Sequence, residues 1–279
     1  MNNNCRFENL PNEIFYQIQS YLNSTDLYKA FFNLNSRFNN LLHSINNLHY
    51  EIRSTVENQR LLTALYASRI TSISIPDDSD AKSIAIIFPN VRSLIFYRAI
   101  RLIPEKFSRV ERIKLDLSTM RVKHASGLCS LIFSIHFPCL TSFYILHRKS
   151  KVVGHWKPLM NSIRHQCLTL TEFIYDIRPT TDWKMVEHFL KYMPNLKRLL
   201  IRKLNTRTKW TLSNIANTFQ NNLIHLNYLF IQINSLDINN YINEDKNNYL
   251  LHPLFIYIKS KQIKSRKQSS ITIISSQIL

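Results

Sequence analysis

Apolar residues along the chain follow two rhythms. From Pro11 to Ile45 they recur at helical intervals: Ile14, Phe15, Ile18, Tyr21 and Leu22 form one stripe, Leu27, Ala30, Phe31 and Leu34 a second, and Phe38, Leu41, Leu42 and Ile45 a third. Pro11 suits the first position of a helix, where its missing N–H is not needed, and Glu13 favours the positive helix end. Asn23-Ser24 and Asn35-Ser36 interrupt the stripes, so three short helices are expected. The second would be capped by Ser24 or Thr25, with Asp26 in its first turn. Helices of about ten residues are marginal alone and need a further surface on which to bury their apolar sides. Residues 46–66 read as a connecting helix, with Leu61, Leu62 and Leu65 turned toward the next segment of the chain.

From Ile70 the pattern becomes apolar-x-x-apolar-x-apolar. It recurs at Ile70, Ile73, Ile75; Val91, Leu94, Phe96; Val110, Ile113, Leu115; Leu140, Phe143, Ile145; Leu170, Phe173, Tyr175; Leu196, Leu199, Ile201; and Leu226, Leu229, Ile231, with a fainter eighth unit at Leu251, Leu254 and Ile256. The first residues of the seven clear units are 21, 19, 30, 30, 26 and 30 positions apart, a period that resembles leucine-rich repeats. Helix-like stretches fill the longer gaps, from Asp182 to Met193 and from Lys209 to Phe219, and Pro89, Pro138 and Pro194 punctuate the approach to three strands. The Asn that closes the strand segment of such repeats occurs only as Asn234, so the units are degenerate. The expected fold is α/β: a leucine-rich-repeat-like solenoid over residues 67–258, with one parallel sheet on its concave side and helices on its convex side. An irregular α/β array is the alternative.

On such a sheet the residues between the buried positions share the open face. Arg112, Lys114, Tyr144, Arg198, Arg202, Tyr228 and Phe230 are therefore the candidate target-binding residues, since aromatics beside arginines suit a binding surface. The same register sets Glu172 next to Arg198 and Asp176 next to Arg202, pairs that would neutralise each other. Ser142, Ile174, Leu146, Leu200, Asp116 and Gln232 complete that face.

Charge divides the chain unequally. Of 279 residues with a net charge of +18, residues 1–50 hold three bases (Arg6, Lys29, Arg37) and three acids (Glu8, Glu13, Asp26). The excess therefore lies in the repeat region and in residues 259–279, read as a basic C-terminal tail with Lys259, Lys261, Lys264, Arg266 and Lys267. The tail is the segment that would serve nuclear localisation or nucleic-acid binding. The N-terminus has no signal-peptide core and the best apolar run, Leu128 to Phe137, is too short for a bilayer. A cytoplasmic or nuclear protein without membrane attachment is expected, its four cysteines reduced.

No catalytic grouping emerges. Gly127 and Gly154 are the only glycines, which excludes a glycine-rich phosphate cradle, and no nucleophile elbow or zinc-ligand helix is present. Cys129, His136 and Cys139 are close in sequence but lie in apolar stretches, so burial explains them better than a metal does. A non-enzyme without cofactor or metal is expected.

The first 45 residues carry a family resemblance. Leu10-Pro11-x-Glu13-Ile14, then Ile18, Tyr21-Leu22, Asp26-Leu27 and Arg37-Phe38 with Leu41-Leu42 resemble the F-box, here residues 6–45, although the third helix lacks the Cys and Trp of many members. The resemblance implies a substrate-recognition subunit of an SCF-type E3 ubiquitin ligase. The F-box would bind a Skp adaptor, and through it a cullin-RING ligase, while the repeats hold a protein target. It further implies adaptor contacts at Leu10, Pro11, Ile14, Ile18, Leu22 and Leu27. The competing expectation is a basic repeat protein that binds nucleic acid or an anionic surface, its N-terminal helices serving only as a cap; its affinity would fall steeply with salt.

Overall fold

The structure is a computed structural model that describes residues 9–52, 67–75, 88–97, 107–118, 122–134, 136–147, 163, 165–177, 183–205, 217–219, 222–235, 259–265 and 268–276. The strands are β1 (Leu48–Glu51), β2 (Ile70–Ile75), β3 (Ser93–Phe96), β4 (Arg112–Asp116), β5 (Ser142–His147), β6 (Glu172–Ile177), β7 (Arg198–Asn205), β8 (Tyr228–Ser235), β9 (Lys259–Ser265) and β10 (Gln268–Ser276). They form one sheet in the order β1-β2-β3-β4-β5-β6-β7-β8-β10-β9. β1 to β8 are parallel and each lies beside its sequence neighbours, the arrangement of a solenoid; β10 is antiparallel to both β8 and β9.

The seven clear sequence units are β2 to β8, and their inner positions stack in register. Ile73, Leu94, Ile113, Phe143, Phe173, Leu199 and Leu229 form one buried row, and Ile75, Phe96, Leu115, Ile145, Tyr175, Ile201 and Ile231 the next. A four-residue turn leads into each of β4 to β8. In it the amides of Val110, Leu140, Leu170, Leu196 and Leu226 donate to the carbonyls of Phe107, Phe137, Cys167, Met193 and Leu223 at 3.0–3.4 Å. Both ends of every such turn are buried. The working unit is thus longer than the strand pattern alone, as in Phe137-Pro138-Cys139-Leu140-x-x-Phe143-x-Ile145. Neighbouring turns are tied by a shared carbonyl: Thr141 O accepts from the Thr171 and Glu172 amides, both at 2.9 Å, and Thr171 O from Lys197 and Arg198 at 2.8 and 2.9 Å.

Helices α4 (Val122–Ile132) and α5 (Trp183–Leu190) cover the buried face. Phe133, just beyond α4, meets the Phe143 ring edge-on at 5.7 Å, and Phe189 of α5 lies 5.8 Å from Phe173 and 6.4 Å from Tyr175. The helix expected from Asp182 to Met193 is present in shortened form. Of the stretch expected from Lys209, residues 217–219 are helical and the remainder, like the eighth unit at Leu251 to Ile256, lies outside the described residues.

Three N-terminal helices form as expected: α1 (Asn12–Gln19), α2 (Ser24–Phe31) and α3 (Ser36–Ser44). Their caps are Asn23 and Asn35 instead of Ser24 or Thr25. Asn23 Oδ1 accepts the Asp26 amide at 2.9 Å while its own amide donates to Asp26 Oδ2 at 2.6 Å, and Asn35 Oδ1 accepts the Phe38 amide at 3.0 Å. The asparagines win because theirs is the extended backbone that lets a side-chain oxygen reach the third residue on. Phe15, Phe31 and Phe38 cluster with ring centroids 5.0–5.6 Å apart. This cluster runs on through Leu41, Leu42, Ile45, Leu48 and Tyr50 into the core of the solenoid, with α2 packed against β1.

Two segments differ from expectation. Residues 46–66 are not one connecting helix: residues 48–51 form β1, and residues 53–66 lie outside the described residues. Leu48, Tyr50 and Ile52 are spaced two and two, one residue short of the repeat pattern, and Thr71 has no paired residue on β1 where the register shifts between Leu48 and His49. Residues 259–279 are not simply a tail, since β9 and β10 extend the sheet as a hairpin, with β9 at its edge.

Removing a ring from the stacked row leaves a cavity that the helices cannot close, so Phe173→Ala should cost about 3–5 kcal/mol by urea denaturation. His49 supplies a pH test. Its ring bridges the Ser72 and Ser74 hydroxyls at 3.0 and 3.1 Å, and burial holds its pKa below the usual 6.5 against the opposing pull of Glu51. The unfolded chain therefore takes up a proton that the folded chain refuses, so stability falls as pH drops below about 6.5 and is flat above it. The urea midpoint should decrease between about pH 7.5 and 5.5. That decrease should shrink in His49→Gln.

Candidate interaction surfaces

The sheet face turned away from α4 and α5 carries all seven candidate target-binding residues, because strand register aligns every second position across β4 to β8. One row reads Arg112, Ser142, Glu172, Arg198, Tyr228; the next reads Lys114, Tyr144, Ile174, Leu200, Phe230; a third has Asp116, Leu146, Asp176, Arg202. Arg112, Arg198 and Arg202 are exposed, and the middle row is half-buried. Leu146 belongs to this face by register yet is buried.

Both expected ion pairs are present. Arg198 reaches Glu172 at 3.2 Å and Arg202 reaches Asp176 at 3.8 Å, with the arginines about half exposed, so each pair contributes under ~1 kcal/mol. Glu172 also accepts the Ser142 hydroxyl at 2.9 Å, and Asp176 the Tyr144 hydroxyl at 3.4 Å. Arg198 sits 5.1 Å over the Tyr228 ring and Lys114 5.1 Å over that of Tyr144. The two acids in the middle of the face are thus occupied. On β4, Arg112 and Lys114 have no carboxylate in ion-pair range among the described residues, and nearby Asp116 accepts the Ser118 amide at 3.0 Å.

The N-terminal helices form the second surface. Of the residues singled out by resemblance, Pro11 and Ile14 are exposed, Leu10, Ile18 and Leu22 are half-buried, and Leu27 is buried, at 3% exposure. Leu27 is therefore a core residue and leaves the set of contact candidates: its place in the first turns of α2 points it to the cluster shared with β1. Tyr21, at 88% exposure, and Tyr16, at 40%, extend the open side and were not singled out. Tyr21 was legible as part of the first stripe, but periodicity alone does not say which part of a wide stripe is covered. Sequence reasoning also missed Leu168 and Ile224, exposed at the tips of two turns where three other units carry Pro.

Arg37 fastens this side. From α3 it donates to Asn12 Oδ1 at 2.7 Å through Nη2 and 3.2 Å through Nε, and to the carbonyl of Leu10, bracing the chain where α1 starts. Tyr16 and Ser44 join their hydroxyls at 3.0 Å.

The thiols of Cys129 and Cys167 are pushed up by burial and stay protonated, which makes them poor nucleophiles. Cys129 is wholly buried while Cys139 is exposed at a turn tip, so the two do not converge on one site, and no metal-binding group occurs among the described residues. No helix among them is long and apolar enough to cross a membrane.

Charge-assisted hydrogen bonds to an arginine are worth about 1.5–3 kcal/mol together with their geometry. Arg37→Ala should therefore speed amide exchange at Ile14 and Phe15 by about tenfold or more. Exchange in β5 to β7 should not change.

No family model matches the chain, and no curated protein does. Among solved structures, an internalin from Listeria monocytogenes is similar over 74% of this chain and 56% of its own, at 12% identity and a TM-score of 0.30. The chain spans little more than half the length of that protein, and the parallel register of β1 to β8 stands without it.

Proposed function

We propose that this chain is a substrate-recognition subunit of an SCF-type ubiquitin ligase, its N-terminal helices binding a Skp adaptor and its solenoid presenting a target protein. One observation carries the reading. The three helices bury Phe15, Leu27, Phe31 and Phe38 against the solenoid, yet a second apolar side of α1 and its flanks remains open at Pro11, Ile14 and Tyr21, with Leu10, Ile18 and Leu22 half-buried. A cap alone has no need of that side, whereas a docking module does, and the residues on it are those that resemble the F-box. The outer sheet face offers the separate surface that a target requires. Function then rests on proximity: holding a target lysine near a charged carrier raises its effective concentration, with no chemistry asked of this chain.

Co-purification with a Skp adaptor tests this. A carboxylate at Ile14 would be buried unpaired in the contact, a penalty of several kcal/mol, so Ile14→Asp should weaken adaptor binding by at least about a hundredfold. Ile14 is exposed in the free chain, so the melting curve should be unaltered. Equal capture of both forms would leave the helices as a cap and nothing more.

A further inference from the structure

The outer sheet face has a directional make-up. Its middle row places Tyr144, Ile174, Leu200 and Phe230 side by side across β5 to β8, half-buried and apolar, with no helix over them among the described residues. At β4 this row carries Lys114, between Ile95 of β3 and Tyr144 of β5, and Arg112 stands in the adjoining row between Ser93 and Ser142. From Lys114 to Phe230 the row crosses four strand spacings, about 19 Å at ~4.8 Å each. The acids within that span, Glu172 and Asp176, are matched by Arg198 and Arg202, so between β4 and β8 the attraction for an incoming carboxylate lies at β4; beyond β8 the row runs through Ile274 of β10 to Lys259 of β9. Asp116, also on β4, offsets part of it and leaves one positive charge in excess on that strand's outer face.

We propose that this face holds an acidic amphipathic segment of the target protein. The segment lies across the strands, its apolar side on Tyr144, Ile174, Leu200 and Phe230 and a carboxylate on Arg112 and Lys114. This rests on the reading of the solenoid as the target-holding part. Charge complementarity selects the partner: an exposed guanidinium and an ammonium, flanked by serine hydroxyls, suit one carboxylate with its bidentate geometry. A polyphosphate chain fits less well, because Glu172 and Asp176 flank the track on both sides at β6 and would disfavour a phosphate there. The apolar row supplies contact area, and the cations of β4 anchor the end of the segment that carries the carboxylate.

A phage-displayed library of random 16-residue peptides panned on the full chain supplies the probe. Selected peptides should carry Asp or Glu at one end of an apolar stripe. By fluorescence anisotropy they should lose at least tenfold in affinity to R112E/K114E and to Phe230→Ala, but be unaffected by Lys197→Glu, an exposed cation at a turn. Circular dichroism melts matching the parent would confirm that the variants fold. Peptides without acids, or binding equal in R112E/K114E, would overturn the proposal while adaptor capture still judged the receptor reading separately. Displacement of the peptides by a labelled oligothymidylate whose affinity falls steeply with salt would overturn it in favour of nucleic acid.

Discussion

Parallel stacking with one face buried is the constraint on which the molecule depends. Each strand from β2 to β8 places its inner apolar pair directly beside that of the next, so no unit completes its own core and every unit needs a neighbour on both sides. The shared carbonyls at the turns lock the same relation in the backbone, which is why unit lengths differing by as much as 11 residues still deliver strands in register. Length variation is absorbed in the connections, where it costs little, and the turn plus strand stays constant.

A stack of this kind has two open ends, and the chain closes them differently. At β1 the aromatic cluster of the N-terminal helices continues the core, so these helices and the solenoid form one body. At β8 the direction reverses: β10 enters antiparallel and β9 becomes the outermost strand. Three lysines fall in β9, and lysine on an edge strand discourages further pairing. Part of the basic run thus lies in a strand, which its composition did not suggest.

The N-terminal helices use their apolar residues twice. Phe15, Leu27, Phe31 and Phe38 serve the interior, while Pro11, Ile14 and Tyr21 stay outside, so capping the solenoid and docking on a partner do not compete for the same side chains. On the proposed reading this joins ligase and target rigidly, since the adaptor-binding helices are continuous with the sheet that presents the target. The outer face follows a similar economy. Its internal ion pairs suppress charge at β6 and β7, whereas Arg112 and Lys114 of β4 have no carboxylate in ion-pair range among the described residues.

Much of this was legible in the chain itself. The apolar-x-x-apolar-x-apolar rhythm determined seven strands, their mutual spacing, and, through alternation, the membership of the outer face down to the Glu172–Arg198 and Asp176–Arg202 pairs. Local spacing could do this because a stacked repeat makes its long-range contacts at nearly the same sequence offset each time. Where that regularity failed, only the tertiary structure decided. β1 has the wrong spacing and is defined by its bulged pairing with β2; the basic segment becomes strand because β8 needs cover; and Leu27, indistinguishable from Ile14 by hydropathy, is inside because α2 meets β1. Periodicity states which residues avoid water, but which neighbour covers them depends on contacts between segments far apart in the chain.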